Sequence, residues 1–207
     1  MAWRLRPAPK TADRLVFFTT NKGKLAELQG LLPRLQVGGD GRGYPEIQAD
    51  TLAEVCDAGA DWLLAQGCKP PFVLEDSGLF VDALSGFPGV FSRHALDTIG
   101  TAGLLRLLEG TVGAKRKAHF TTDLLLVESH KARHHFAGRC DGRIATVPAG
   151  SGGFGFDPIF VPASEPARHG RTFAQMDQDE KSAVSHRGQA VRALAEHLGR
   201  LRQTGKP

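Results

Sequence analysis

The sequence predicts a single α/β domain built on a mixed β-sheet, and three observations predict it. Short β-type runs alternate with stretches of helical periodicity from Leu15 to about Gly110. Two longer β-type runs, roughly 117–128 and 133–146, then follow one another across a short polar turn, the pattern of a hairpin. A chain of 207 residues suits one core and leaves little room for a second, since domains typically run to ~100–200 residues. Residues 1–13 read as a frayed extension and 14–207 as the domain.

Each element has a local reason. Leu15 to Thr19 is a β-type run. Asn21 then precedes Leu25, Leu28, Leu31 and Leu32, spaced for one helix face, and Pro33 stops that helix. Thr51 with Glu54 three residues on is a capping box; it opens a helix through Val55, Cys56, Leu63 and Leu64 that ends at Gly67. Phe72 to Leu74 reads as a buried strand and Leu79 to Leu84 as another, with turn chemistry at Ser77 and Gly78 between them. Asp97 or Thr98 is placed to cap a helix carrying Ile99, Leu104, Leu105 and Leu108, stopped by Gly110. After the hairpin, which turns near Ser129 to Lys131, residues 148–158 are rich in glycine and proline. A last helix shows Val191, Leu194, Ala195 and Leu198 on one face.

Composition narrows the function classes. Apolar residues at 41% and charged residues at 23% match globular usage and exclude disorder, a collagen-like repeat or a coiled coil. No apolar run approaches the ~20 residues that cross a bilayer, and the arginine-rich start lacks the apolar stretch of a secretory signal, so a soluble cytoplasmic protein without a membrane partner is expected. The net charge of +4 is concentrated at the chain ends, with Arg4, Arg6, Lys10 and Arg14 against Asp13 in the first fourteen residues. Charge placed there rather than in a stripe on the body argues against nucleic acid as a partner. Cys56, Cys68 and Cys140 are odd in number and far apart, which suits neither a disulfide framework nor a CxxC zinc site; reduced, structural cysteines are expected.

Four stretches can carry chemistry. Thr19-Thr20-Asn21-Lys22-Gly23-Lys24 lies at a strand-to-helix turn, where free backbone N–H groups and Lys24 favour an anion such as phosphate; a plain capped helix is the alternative. Glu46, and Glu75 with Asp76 at the end of an apolar strand, place hard oxygen ligands where a parallel sheet opens into a cleft, a set that suits Mg²⁺. Adjacent strand residues point to opposite faces, so Glu75 and Asp76 share one metal only if the strand breaks at Ser77 and Gly78; a loop of exposed acids is the alternative. Residues 150–155, GSGGFG, match GxGxxG literally, but Asp157 and Pro158 follow at once where a dinucleotide fold needs a helix. The loop instead offers Phe154 and Phe156 as stacking surfaces for a flat ligand, or as core residues. Asp179 to Gly188 gathers Lys181, His186 and Arg187 near a helix start, where they either clamp an anion or base or form a solvated basic face. His134 and His135 have no ligand-spaced carboxylate or cysteine nearby and read as surface residues.

Together these stretches resemble the inosine triphosphate pyrophosphatase family, enzymes that hydrolyse non-canonical purine nucleoside triphosphates. The resemblance is carried, in family order, by TTNKGKLAEL (19–28), YPEIQADTLAEV (44–55), LEDSGLFVDALSGFPGVFS (74–92), GRIATVPAGSGGFGFDPIF (142–160) and FAQMDQDEKSAVSHRGQA (173–190). It implies an elongated mixed sheet with flanking helices, two lobes around a central cleft, and commonly a homodimer. It implies Mg²⁺-dependent conversion of ITP, dITP and XTP to the monophosphate and pyrophosphate. Thr19, Thr20, Asn21, Lys22, Gly23 and Lys24 would hold the triphosphate, and Glu46, Glu75 and Asp76 the Mg²⁺ region, with Asp76 as base for the attacking water. Ser77 would touch substrate, Phe154, Gly155 and Phe156 would meet the purine, and Asp157 would close that pocket. Lys181, His186 and Arg187 would reach base or phosphates, and Arg93 falls where some members carry a phosphate-facing lysine. Two positions depart from the pattern: Phe156 stands where Tyr or Trp is common, and the helix from Leu52 to Gln66 has no Lys or Arg. A pyrophosphatase for pyrimidine or modified nucleotides, or a non-catalytic nucleotide or nucleic-acid binder, are the rival readings.

Overall fold

The computed structural model describes residues 14–33, 36–164 and 170–204. The extension read at residues 1–13 lies outside them. Seven strands form one sheet in the order β2-β1-β3-β5-β6-β7, with β4 paired to β3. These are β1 (Arg14–Phe18), β2 (Gln36–Asp40), β3 (Phe72–Val81), β4 (Pro88–Gly89), β5 (Lys117–Ser129), β6 (Ala132–Ile144) and β7 (Phe160–Pro162). The helices are α1 (Lys22–Leu31), α2 (Leu52–Ala65), α3 (Ser92–Thr98), α4 (Gly100–Leu107), α5 (Gln178–Val184) and α6 (His186–Thr204).

Strand alternation builds two apolar layers on opposite faces. Leu15 and Phe17 of β1, Val73 of β3 and Leu124 and Leu126 of β5 pack with Leu28 of α1 and Val191 and Leu194 of α6. Their neighbours Phe18, Phe72, Leu74, Leu125 and Val127 pack on the other face with Cys56, Ala60 and Leu63 of α2. The parallel pairs β1·β2 and β1·β3 extend from β1 in opposite directions, so α1 and α2 fall on opposite faces and β1 ends at a topological switch point. A third cluster, with Leu79, Leu104, Phe120, Phe160 and Phe173, forms a second lobe beyond the middle of β3 and β5. The thirteen-residue β5 and β6 run through both lobes, about 40 Å of strand, which makes the molecule elongated.

The hairpin, the Asn21 cap and the Thr51–Glu54 capping box form as expected. Three readings are corrected. No break occurs at Ser77 and Gly78: β5 pairs with all ten residues of β3, so the strand continues to Val81. Glycine at 78 answers a close approach instead, because a Cβ there would lie 2.3 Å from the Gly89 carbonyl oxygen of β4. The helix expected to start at Asp97 or Thr98 begins at Ser92, and Gly100, at φ +63°, divides it into α3 and α4. Asp97 pairs with Arg93 one turn earlier rather than capping. In the last helix Ala195 is exposed, leaving Ala190, Val191 and Leu194 as the buried face. Short strands β2, β4 and β7 and helix α5 had no sequence expectation. No described helix is long and apolar enough to cross a membrane, and the three cysteines are free and buried.

Candidate active site

The register of β1 creates the cleft. It pairs with β3 only at Val16 with Phe72 and Phe17 with Val73, and β4 joins the same edge only at Leu79 and Phe80, so from Leu74 to Gly78 that edge of β3 has no strand beside it. The chain leaving β1 turns into α1 at this opening, and the Lys24 ammonium donates to the Glu75 carbonyl at 3.2 Å. It also lies 3.6 Å from the Glu75 carboxylate and 3.8 Å from that of Asp76. One cation thus faces two carboxylates that leave an unbroken strand on opposite sides. Asn21 Oδ1 accepts the backbone N–H groups of Gly23 and Lys24. Those donors are therefore not free for an anion as the sequence suggested, and Lys24 with the α1 dipole provides the positive end.

Behind this entrance lies a buried charge network. Arg187, second residue of α6, donates from Nε to Glu75 Oε2 and from Nη2 to Glu75 Oε1, both at 3.1 Å, and from Nη2 to the Ser77 hydroxyl at 3.1 Å. Its Nη1 donates to Glu27, whose other oxygen accepts from Lys181 at 2.7 Å. Lys181 also donates to Asp157 Oδ2 at 2.7 Å, which accepts the Phe154 N–H at 2.8 Å and so closes the glycine loop. The Thr122 hydroxyl donates to Glu75 Oε1 at 2.6 Å. Lys181 and Arg187 lie 4.8 and 5.4 Å from the Phe154 ring centre, within cation–π range.

Charge states follow from these partners. Burial would raise the Glu75 pKa, but Arg187 and then Lys24, with the hydrogen bonds from Arg187 and Thr122, overcome it and hold the carboxyl well below its usual range. Asp76 goes the other way: burial pushes it up to about 6, against Lys24 and the Ser77 N–H, with Glu75 and Glu46 adding repulsion. Burial likewise raises Asp157 against the pull of Lys181. Burial, with Arg187 alongside, keeps His186 well below 6.5 and hence neutral near pH 7. Its ring stacks on Phe120 at 4.7 Å, and its Nδ1 is buried without a hydrogen-bond partner among the described residues.

The cleft, about 240 Å³, gathers most of the residues singled out in the sequence: Thr19, Thr20, Asn21, Lys24, Glu46, Glu75, Asp76, Ser77, Arg93, Phe154, Gly155, Phe156, Asp157, His186 and Arg187. Lys181 stands behind Phe154, and Lys22 lines a neighbouring groove with Thr19 and Thr20. Glu46 is exposed on the loop after β2. Glu75 and Asp76 are not a loop of exposed acids, and Lys181, His186 and Arg187 are each about 3% exposed, so the solvated-face reading fails. Phe154 is half-buried at the cleft while Phe156 joins the core of the second lobe. His134 and His135 lie at the surface as expected, each about a third exposed at the side chain, but each has a carboxylate partner: His135 Nδ1 is 2.8 Å from Asp123 and His134 Nε2 is 2.7 Å from Glu128. Both carboxylates lie on β5, invisible to a search for local ligand spacing. Glu27, Thr122, Tyr44 and Ser92 were missed; Glu27 alone left a signal, one helical turn after Lys24 on the same face of α1.

Residues 15–197 match the model of the Ham1 family. A dITP/XTP pyrophosphatase of Thermococcus kodakarensis is 50% identical over 187 residues, 89% of this chain and 97% of that protein. Inosine triphosphate pyrophosphatase 1 of Trypanosoma cruzi is 37% identical over 89% of this chain and 92% of that protein. A Ham1 protein from Coxiella burnetii superposes with a TM-score of 0.74 at 33% identity, covering 90% of this chain and 98% of that one. A family match of this extent, on a chain that arranges the expected residues around one cleft, has a plain consequence: the chain belongs to the Ham1 family.

Proposed function

We propose that this chain hydrolyses non-canonical purine nucleoside triphosphates (ITP, dITP and XTP) to the monophosphate and pyrophosphate, with Mg²⁺. The observation that carries this reading is the meeting of Asp76 with Lys24 at the mouth of one cleft whose inner wall holds Phe154, His186 and Arg187. The relatives' names point the same way.

The residues fit a hard divalent cation. Asp76 uses Oδ1 to accept the Ser77 N–H and keeps Oδ2 without a protein donor among the described residues, and Glu46 lines the same cleft. Both Glu75 oxygens are engaged by Arg187, and Oε1 by Thr122 as well, so in this reading Glu75 positions Arg187 and Lys24 while Asp76 and Glu46 hold the ion. When bound, Mg²⁺ supplies charge neutralisation on the phosphate oxygens.

The chain's own residues do the rest. Lys24, the α1 dipole and Arg93 offset the ~4 negative charges of the triphosphate. Asp76 takes the proton of a water aimed at the α-phosphorus; the bond from that phosphorus to the bridging oxygen breaks, and pyrophosphate leaves. The purine sits against Phe154, where the orphaned His186 Nδ1 and the fixed Arg187 fork offer polar partners. Donors set for a 6-oxo group would stay unpaired opposite the 6-amino group of adenine, which disfavours ATP. Association as a homodimer in the cytoplasm, without nucleic acid or membrane, belongs to the same reading; sedimentation tests the dimer.

The experiment is a nucleotide panel reporting pyrophosphate and orthophosphate separately, with and without Mg²⁺. Pyrophosphate from ITP, dITP and XTP, with ATP and GTP poor, is expected. A pyrimidine-first ranking would favour the modified-nucleotide alternative, and no turnover at all would favour a binding protein.

A further inference from the structure

At the far end of the sheet from the cleft, Glu128 and His134 flank the β5–β6 turn, and His197 of α6 comes down on them. His134 Nε2 is 2.7 Å and His197 Nε2 3.9 Å from Glu128 Oε2. One ligand atom from each of the three residues lies within 4.8 Å of the others. The two imidazoles are 4.4 Å apart, centre to centre, and Phe136 flanks the second at 5.5 Å. His197 Nε2 is buried and has no hydrogen-bond partner among the described residues. The ring nitrogen thus faces a carboxylate and a second imidazole without a hydrogen bond of normal length to either, which is unfavourable for a buried polar atom.

We propose that Glu128, His134 and His197 bind one borderline divalent cation of the Zn²⁺ class. Two imidazoles and a carboxylate are a donor set this class accepts, with a fourth position for water. Bonds of ~2.0–2.2 Å put tetrahedral ligand atoms ~3.4 Å apart, and the separations of 2.7 and 3.9 Å bracket that value, so each atom shifts by under ~1 Å. The donors differ from the all-oxygen set of the cleft, which selects a harder ion. Glu128 lies six residues beyond Thr122 on β5, about 20 Å along the strand, so the ion does not touch substrate. Its effect is to tie α6 to the hairpin, and α6 is the helix whose first two residues, His186 and Arg187, enter the cleft.

Co²⁺, which reports tetrahedral nitrogen and oxygen coordination by its visible absorption, is titrated into the full chain in excess Mg²⁺ to keep the cleft occupied. One equivalent is expected, at least ~100-fold weaker in His197→Gln and in His134→Asn and unchanged in Asp76→Asn. Zn²⁺ at a hundredfold excess over its Kd is expected to raise the Tm by roughly 5–10 °C in the parent chain and in Asp76→Asn, and not in Glu128→Gln. Absence of the band, its survival in His197→Gln, or its loss in Asp76→Asn would overturn the proposal, the last by placing the ion in the cleft. Substrate turnover enters none of these readouts, so the site stands or falls apart from the proposed activity.

Discussion

Arg187 and Glu75 meet through a two-pronged ion pair, Nε and Nη2 to the two carboxylate oxygens at 3.1 Å each, 112 residues apart in the chain and shielded from water. The pair joins the open edge of β3 to the start of α6, and with Glu27 and Lys181 it extends to α1 and the glycine loop. Five segments around the cleft, α5 with Lys181 among them, are held by one charge network.

Removing Arg187 leaves two buried carboxylates, Glu75 and Glu27, short of their main partner. Arg187→Ala is expected to cost about 3–5 kcal/mol, lowering the Tm by roughly 10 °C or more, because burying an uncompensated charge costs far more than the pair itself contributes. Arg187→Lys restores the charge but not the fork and is expected to fall between. Thermal unfolding checks this, and an alanine variant within 2 °C of the parent would contradict it.

Asp76→Asn is expected to lower kcat by at least ~100-fold, since in the proposed function it removes both the proton acceptor and one carboxylate that holds the ion. Steady-state kinetics on ITP with Mg²⁺ tests it; turnover near that of the parent would remove the base from the account.

The pKa of Asp76 makes a stability prediction of definite sign. Its folded value of about 6 lies above its ordinary 3.8, so the folded state holds that proton more tightly than the unfolded chain does. The resulting stabilisation is complete below pH 3.8 and is lost as the pH rises through 6, leaving a cost at pH 8 of about 2–3 kcal/mol at ~1.4 kcal/mol per pKa unit. In metal-free buffer Asp76→Asn should therefore be more stable than the parent at pH 8, the gap closing toward pH 4. Urea denaturation at both pH values measures it. A gap independent of pH would show that Asp76 titrates normally.

Gly23 packs against Phe154, the ring that faces the base in the proposed function. A Cβ at 23 would fall 2.5 Å from Phe154 Cδ1, and the ring is the part that can yield. Gly23→Ala is thus expected to raise KM for the purine nucleotide several-fold while moving the Tm by no more than ~2 °C. Kinetics and melting of the same preparation separate this from a folding defect.

Local chemistry was legible in the sequence and closure over distance was not. Asn21 and Thr51 cap the helices they announce, and the hairpin stands within a residue or two of its expected bounds. Ser77 and Gly78 misled because turn residues and close-approach residues look alike: only Gly89, from a strand too short to show a period, explains a glycine at 78. Lys181 and Arg187 resembled a solvated run because the carboxylates that bury them, Glu27 and Glu75, are contributed from 154 and 112 residues away. Asp97 was misjudged as a cap because α3 begins at Ser92, whose hydroxyl is turned inward to the Gly89 carbonyl and the Leu79 N–H.

In the proposed chemistry water attacks the α-phosphorus, so the bond cut releases pyrophosphate. A single turnover of ITP in ¹⁸O-labelled water, with the products separated and weighed by mass spectrometry, measures it most directly. One labelled oxygen in the monophosphate and none in the pyrophosphate is the expected result. Label in the pyrophosphate, or orthophosphate as the product, would place the attack at a different phosphorus and contradict the account.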